Sequence, residues 1–225
     1  MSAGPAIDLS FPHQWQAEIL PARPLILPPR HFVYPREAEE VERGALEVLV
    51  KLLSTSDGTV SERALKGHDF SRAESRQKES WALAPEVTTS AIKDQPFLAT
   101  CALGFRDAAV PTGIWACPDP KEMCAVSGGY AYIINTRAPE RFTMIPYRPV
   151  LEVRVAMEAG LLLFVGHHAV LAWGAGSMAW ESEKLSDEGV TVASIEGGLL
   201  RGTGWSLRTD KETPFTLDLR TGSRV

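Results

Sequence analysis

Cysteine is scarce in this chain. Cys101, Cys117 and Cys124 make an odd count of three, which excludes a fully paired set of intrachain disulfides. Free thiols fit a reducing compartment, so a cytoplasmic location is expected. Long apolar runs are missing as well. The longest, around Gly160 to Val165, has the length of a strand, and no membrane span is expected. The opening MSAGPAIDLSFPHQW has neither the basic n-region nor the apolar h-region of a secretory signal. Lys and Arg never form a block. With 23 basic against 28 acidic residues the formal charge is -5, which makes no electrostatic case for nucleic acid.

The common chemical motifs are absent too. No phosphate loop with Gly-Lys-Ser/Thr occurs. Gly128-Gly129, Gly197-Gly198 and Gly202-Thr203-Gly204 join strand to strand, whereas a dinucleotide fingerprint joins strand to helix. HExxH and CxxC are missing, and Cys117 and Cys124 have no second close pair to complete a zinc site. Ser177 lacks a nucleophile-elbow context. No metal and no cofactor is therefore implied.

What is present is a scaffold. At 225 residues and 44% hydrophobic content the chain can bury one good core, or one core and a smaller appendage. The stretch Leu151 to Asp218 alternates apolar runs of strand length with turn residues. Leu161 to Val165 and Ala169 to Trp173 flank Gly166 and His167, and Val190 to Ile195 and Leu199 to Trp205 flank Glu196-Gly197-Gly198. The second pair is the clearest hairpin, because glycine tolerates the positive φ of tight turns. Strands are also expected over Phe97–Phe105, Thr112–Cys117, Glu122–Val126 and Tyr130–Asn135. The fold class is mainly β (α+β), a short-stranded antiparallel meander with one N-terminal helix.

Two regions follow from this pattern. Residues 1–95 read as a proline-rich arm, a helix and a polar loop packed on a β-rich body, residues 96–225. The prolines of residues 1–35 preclude a regular helix, yet Leu20, Leu25, Ile26, Leu27, Phe32 and Val33 are too apolar for a disordered tail. An extended arm over the body, or over a partner subunit, is expected. Pro35 suits a first helical turn, and Val41, Ala45, Leu49 and Leu52 recur at helical spacing, which predicts a helix over Arg36 to Leu53. Residues 59–95 are polar, with Ser61 as a cap and Ser71 to Ser80 charged, and read as a mobile loop or lid.

An ungapped shift of 47 residues lays Gly113-Ile-Trp-Ala-Cys on Gly160-Leu-Leu-Leu-Phe, and Gly129 on Gly176. The spacing matches one propeller blade. Residues 113–153 and 160–200 are therefore expected to be two superimposable, propeller-blade-like β units with a groove between them. The loops Pro118–Lys121, Gly166–His168 and Glu196–Gly198 are candidates to gather at that groove.

The strings SGGYAYIINT, IPYRPVLEV, LLLFVGHHAVLAWG and PFTLDLRTG, over roughly residues 97–222, resemble a group of bacterial β-rich proteins to which no activity is attached. The resemblance implies a bacterial, cytosolic, β-rich protein and transfers no functional residues.

Binding candidates are the aromatic and arginine side chains of the body: Tyr130, Tyr132, Arg154, Trp173 and Trp180. Aromatic rings with polar handles recur in binding sites, and they recur equally in cores. His167 and His168 are the catalytic candidates, with Glu181 or Asp187 to orient the imidazole and Arg154 as anion clamp. A turn histidine held by a backbone carbonyl is the plainer account. The leading expectation is a non-catalytic binding or protein-interaction protein, a homo-oligomer or the partner of another protein. The rival is a small hydrolase or isomerase-like enzyme using a histidine base.

Overall fold

In the computed structural model the described residues are 4–38, 45–53 and 95–225. They form sixteen strands in four sheets. Sheet I has the order β2 (Trp15–Leu20), β4 (Leu46–Leu52), β5 (Phe97–Cys101), β3 (His31–Tyr34). Sheet II runs β1 (Ala6–Asp8), β6 (Gly113–Ala116), β7 (Glu122–Ser127), β8 (Tyr130–Asn135), β9 (Phe142–Met144). Sheet III is β10 (Glu152–Ala156), β11 (Leu161–Val165), β12 (Val170–Trp173), β13 (Met178–Glu181), and sheet IV is β14 (Val190–Glu196), β15 (Leu199–Ser206), β16 (Lys211–Asp218). Pairing is antiparallel except for β1 on β6 and β3 on β5, which are parallel.

The sheets stack in the order I, II, III, IV, and side-chain alternation shows it. In β11, Leu162 and Phe164 enter a core shared with sheets I and II, while Leu161, Leu163 and Val165 enter a second core shared with sheet IV. β12 divides the same way: Leu171 and Trp173 to the first core, Val170 and Ala172 to the second. Successive strand residues point to opposite faces, so sheet III is covered on both. At one end of the stack β4 and β5 lie against β7; at the other β11 lies against β14. The sheets close into neither a barrel nor a propeller.

The expected helix over Arg36 to Leu53 is absent from the described residues of that range. Leu46–Leu52 is the strand β4, hydrogen-bonded to β2 on one side and β5 on the other. Leu46, Val48 and Val50 are buried in the core while Lys51 is exposed, a period of two within the window where a period of 3.6 had been read. Non-local pairing on both edges overrides local propensity. Residues 36–38 form a turn, with the Ala38 N–H donating to the Pro35 carbonyl at 3.1 Å, and residues 39–44 lie outside the described residues. Apart from the 3-10 turn Met157–Ala159, no helix occurs among the described residues, and none is long and apolar enough to cross a membrane. The segment read as a lid, with Ser61 and Ser71 to Ser80, lies outside the described residues up to residue 94.

The N-terminal arm is more ordered than its prolines suggest. It supplies β1 to sheet II and β2 and β3 to sheet I, so it packs on its own chain. Sheet I draws its strands from both sides of the 95/96 division.

The 47-residue offset does not survive as a structural repeat. β6-β7-β8 and β11-β12-β13 are both meanders, but β9 pairs with β8, whereas β14 at the matching position leaves for sheet IV. Register differs too: Ile114 faces Ala125, while across β11 and β12 it is Leu163, not Leu161, that faces Ala172. Of the matched glycines, Gly129 and Gly176 both hold a positive φ, 76° and 84°, but Gly113 and Gly160 answer different needs. A Cβ on Gly113 would come within 2.0 Å of the Ala6 carbonyl oxygen on β1, whereas Gly160 has open space and a φ of 63°.

Candidate functional site

Three clefts open at sheet boundaries. One, of about 580 Å³, is lined by β10, β14 and the residues Asp8 and Ser10. The largest, of about 800 Å³, lies between sheets III and IV. Its walls come from the end of β10 and the 3-10 turn, from β13, from the β14–β15 hairpin and from the exit of β16. Gly197 and Gly198 hold φ of 58° and 75°, the double positive that lets β14 reverse in two residues and leaves Glu196 and Leu199 at the lip. Leu161, Trp180, Ile195, Leu199 and Leu219 supply apolar wall, and Glu158, Glu196, Asp218 and Arg220 supply charge. Trp180 is fixed in place. Its indole N–H donates to the Leu219 carbonyl at 2.7 Å, and Gly222 packs so closely that a Cβ there would sit 2.5 Å from the ring. Asp218 Oδ1 accepts the Arg220 backbone N–H at 2.7 Å, while the Arg220 guanidinium lies 3.9 Å from Oδ2 and is largely in solvent.

The third, of about 550 Å³, lies between sheets II and III. Glu122, at the head of β7, and Trp173, at the end of β12, meet there: the indole N–H donates to Glu122 Oε2 at 2.9 Å. Glu122 is only 9% exposed. Burial pushes its carboxyl above the ordinary carboxylate range, the indole hydrogen bond pulls it back, and Asp119 pushes it further up. Arg36, Asn135, Glu140 and Arg141 line the opening.

A third polar group sits on the outer face of sheet I and is internally satisfied. Thr100 Oγ1 donates to Glu47 Oε2 at 2.5 Å, Arg23 Nε pairs with Glu47 Oε1 at 2.9 Å, and His31 Nε2 lies 2.8 Å from Thr100 Oγ1. Since the threonine proton is spent on Glu47, His31 is the donor to Thr100. Burial, then the Arg23 charge, lowers the His31 pKa. Both Glu47 oxygens and the Thr100 hydroxyl are taken, which is the behaviour of a structural network.

The residues singled out in sequence do not converge. Of the five binding candidates, Trp180 lines the III/IV cleft and Trp173 the II/III cleft. Tyr132 is buried with its hydroxyl donating to the Ala102 carbonyl at 3.2 Å, and Tyr130 lies under the Arg148 guanidinium, 5.5 Å from the ring centre. Arg154 pairs with Glu152 at 2.7 Å and lines the 580 Å³ cleft. Among the catalytic candidates, His168 Nδ1 lies 3.1 Å from the Ser186 carbonyl, Glu181 accepts the Tyr147 hydroxyl at 2.8 Å, and Asp187 pairs with Lys184 at 2.7 Å. His167 is exposed and its ring centre is 6.3 Å from that of His168. Among the described residues no hydrogen bond joins either histidine to Glu181 or Asp187. Of the three loops expected at a groove, Glu196–Gly198 lines the III/IV cleft. The backbone carbonyls of His167 and His168 instead accept the N–H groups of Gly189 and Leu185, tying sheet III to the link into sheet IV.

Cys101, Cys117 and Cys124 are free and fully buried, and burial drives each thiol pKa upward, the opposite of activation. Among the described residues no three His, Cys, Asp or Glu side chains gather as a metal site needs.

Glu122, Glu158 and Arg220 were not singled out in sequence. Glu122 had a readable signal, a carboxylate heading the otherwise apolar run Met-Cys-Ala-Val that goes on to a fully buried strand. Glu158 and Arg220 had none, since their meeting depends on the stacking of two sheets.

Searches against protein-family models, curated proteins and solved structures find no match to this chain.

Proposed function

We propose that the chain is a non-catalytic binding protein whose ligand occupies the cleft between sheets III and IV. One observation carries this reading: a cleft of about 800 Å³ with the Trp180 ring as fixed wall and a charged lip, a size and composition that suit a small molecule or a few residues of a peptide. The lip carries Glu158, Glu196 and Asp218 against Arg220, three carboxylates to one guanidinium. That balance favours an apolar body bearing a positive charge. Neither candidate histidine nor any cysteine lines the cleft, so a nucleophile-and-base mechanism has no support there.

The test uses phenethylamine, followed by nuclear magnetic resonance of the full chain, with phenylacetate as the anionic control. Phenethylamine is expected to shift signals of Trp180 and Gly198, and Ala179→Trp to weaken it at least tenfold. Ala179 lines the cleft from an exposed position, so the larger ring blocks the cleft without entering the core. Amine binding that ignores Ala179→Trp, or that maps to other residues, overturns the reading.

A further inference from the structure

We propose that the cleft between sheets II and III is a second, separate binding site, for a small carboxylate with an apolar body, held by the carboxyl of Glu122 and the guanidinium of Arg141.

The geometry starts with an incompletely used side chain. Glu122 is more than nine-tenths buried, and its Oε2 is taken by the Trp173 indole. Oε1 makes no hydrogen bond among the described residues. Among the described residues the one sealed side-chain polar atom without a partner is Ser127 Oγ, so Oε1 keeps some exposure, on a residue that lines the open cleft. An oxygen without a protein partner is available to bond a ligand seated in the cleft.

The chemistry of that ligand follows from the proton. With Oε2 accepting from the indole, a protonated Glu122 presents Oε1–H as a donor into the cleft. The best acceptor for such a donor is another carboxylate, which the Arg141 guanidinium at the opening can pair with at the same time. An ammonium ligand fits less well. It would need Glu122 ionised against its burial, and it would pass Arg36 and Arg141 with Glu140 as the one acid beside them. The rings of Phe142 and Trp173 line the cleft and would cover an apolar body.

Charge around Glu122 comes from known places. Asp119 and Lys121 flank it on the β6–β7 link, Arg36 follows β3, and Glu140 and Arg141 precede β9; the Gly174–Ser177 turn on the sheet III side carries none. None of these is a histidine. Asp119 and the burial of Glu122 both favour the protonated carboxyl. Above the Glu122 pKa, binding a carboxylate takes up one proton, so affinity falls by up to tenfold per pH unit.

The experiment titrates the full chain with phenylacetate, phenylacetamide and phenethylamine at pH 5.5 and pH 8. Phenylacetate is expected to bind at pH 5.5 with shifts at Glu122 and Trp173, at least tenfold more tightly than at pH 8, and at least tenfold more tightly at this cleft than the other two probes. Arg141→Ala, at an exposed position, is expected to weaken it at least tenfold. Glu122→Gln keeps an acceptor for the indole and a donor for the ligand, so phenylacetate binding persists and its pH dependence disappears. Absence of binding at pH 5.5, indifference to Arg141→Ala, or an unchanged pH slope in Glu122→Gln each overturns the proposal. Such a failure leaves the amine result at the III/IV cleft untouched, because the two sites share no residue.

Discussion

Sheets III and IV are neighbours built by the same antiparallel logic, yet they read differently. Every residue of β11, LLLFV, is buried. In β14, VTVASIE, Val190 and Val192 are buried and Thr191 and Ala193 exposed. The difference is position in the stack. β11 lies between two cores and must satisfy both with alternate residues, while β14 closes the stack with one face in water. Unbroken apolar runs of this kind are associated with parallel sheets covered on both sides. Here an antiparallel meander carries one because layers cover both its faces. The hydrophobic pattern of a strand thus reports how many cores it touches.

The sharpest way to break that contrast is truncation. Phe164→Ala in β11 is expected to cost roughly 3–5 kcal/mol in urea unfolding, since the cavity opens in a layer hemmed in from both sides. Val192→Ala in the terminal sheet should cost about 1.5 kcal/mol for two lost methyl groups. Arg201, on the solvent face of β15, should tolerate alanine within about 0.5 kcal/mol. Equal losses at Phe164 and Val192 would mean that sheet III is not the more confined layer.

Two carboxylates extend the contrast with opposite signs. Glu122, in the interior, has its folded pKa raised by burial, so its contribution to stability is full below the unfolded value of about 4.3 and is lost as pH rises through the folded value. Glu122→Gln should therefore match the parent near pH 4 and exceed it at pH 7 in thermal unfolding. Asp187, at the sheet IV side, is partly exposed. The hydrogen bond to Lys184, and then the Leu207 N–H, hold its pKa down. Its contribution is present above the unfolded value of about 3.9 and fades as pH falls through the folded one. Asp187→Asn should show a small deficit at pH 7 that closes on acidification. A surplus for Asp187→Asn at pH 7 would contradict the Lys184 pairing.

Legibility in the sequence tracked how local each interaction is. The hairpins around Gly128-Gly129 and Gly197-Gly198 were readable because both glycines of each pair hold the positive φ the turn needs. β8 and β11 were bounded to the residue, their partners being adjacent in sequence. β4 was misread because its partners are remote. Val50 pairs with Ala17 and with Phe97, and nothing within a helical window announces either. Propensity and spacing alone favoured the wrong periodicity there. The clefts were less legible still. Trp173 and Glu122 are 51 residues apart and meet because two sheets face each other, and layer order is written in no single motif.

The placement of β1 has a consequence in time. Ala6–Asp8 lies along Gly113–Trp115, with the Ala6 N–H donating to the Thr112 carbonyl at 2.8 Å. During synthesis this strand is made more than a hundred residues before its seat. At ribosomal rates that is a wait of roughly 5–20 s, during which an extended segment with unused backbone donors is available to other chains. Sheet IV has no such interval, since each of its strands finds its partner in the next hairpin. The interval in which β1 can pair with another chain therefore closes only once Gly113 has emerged, and that of β3 once Leu98 has.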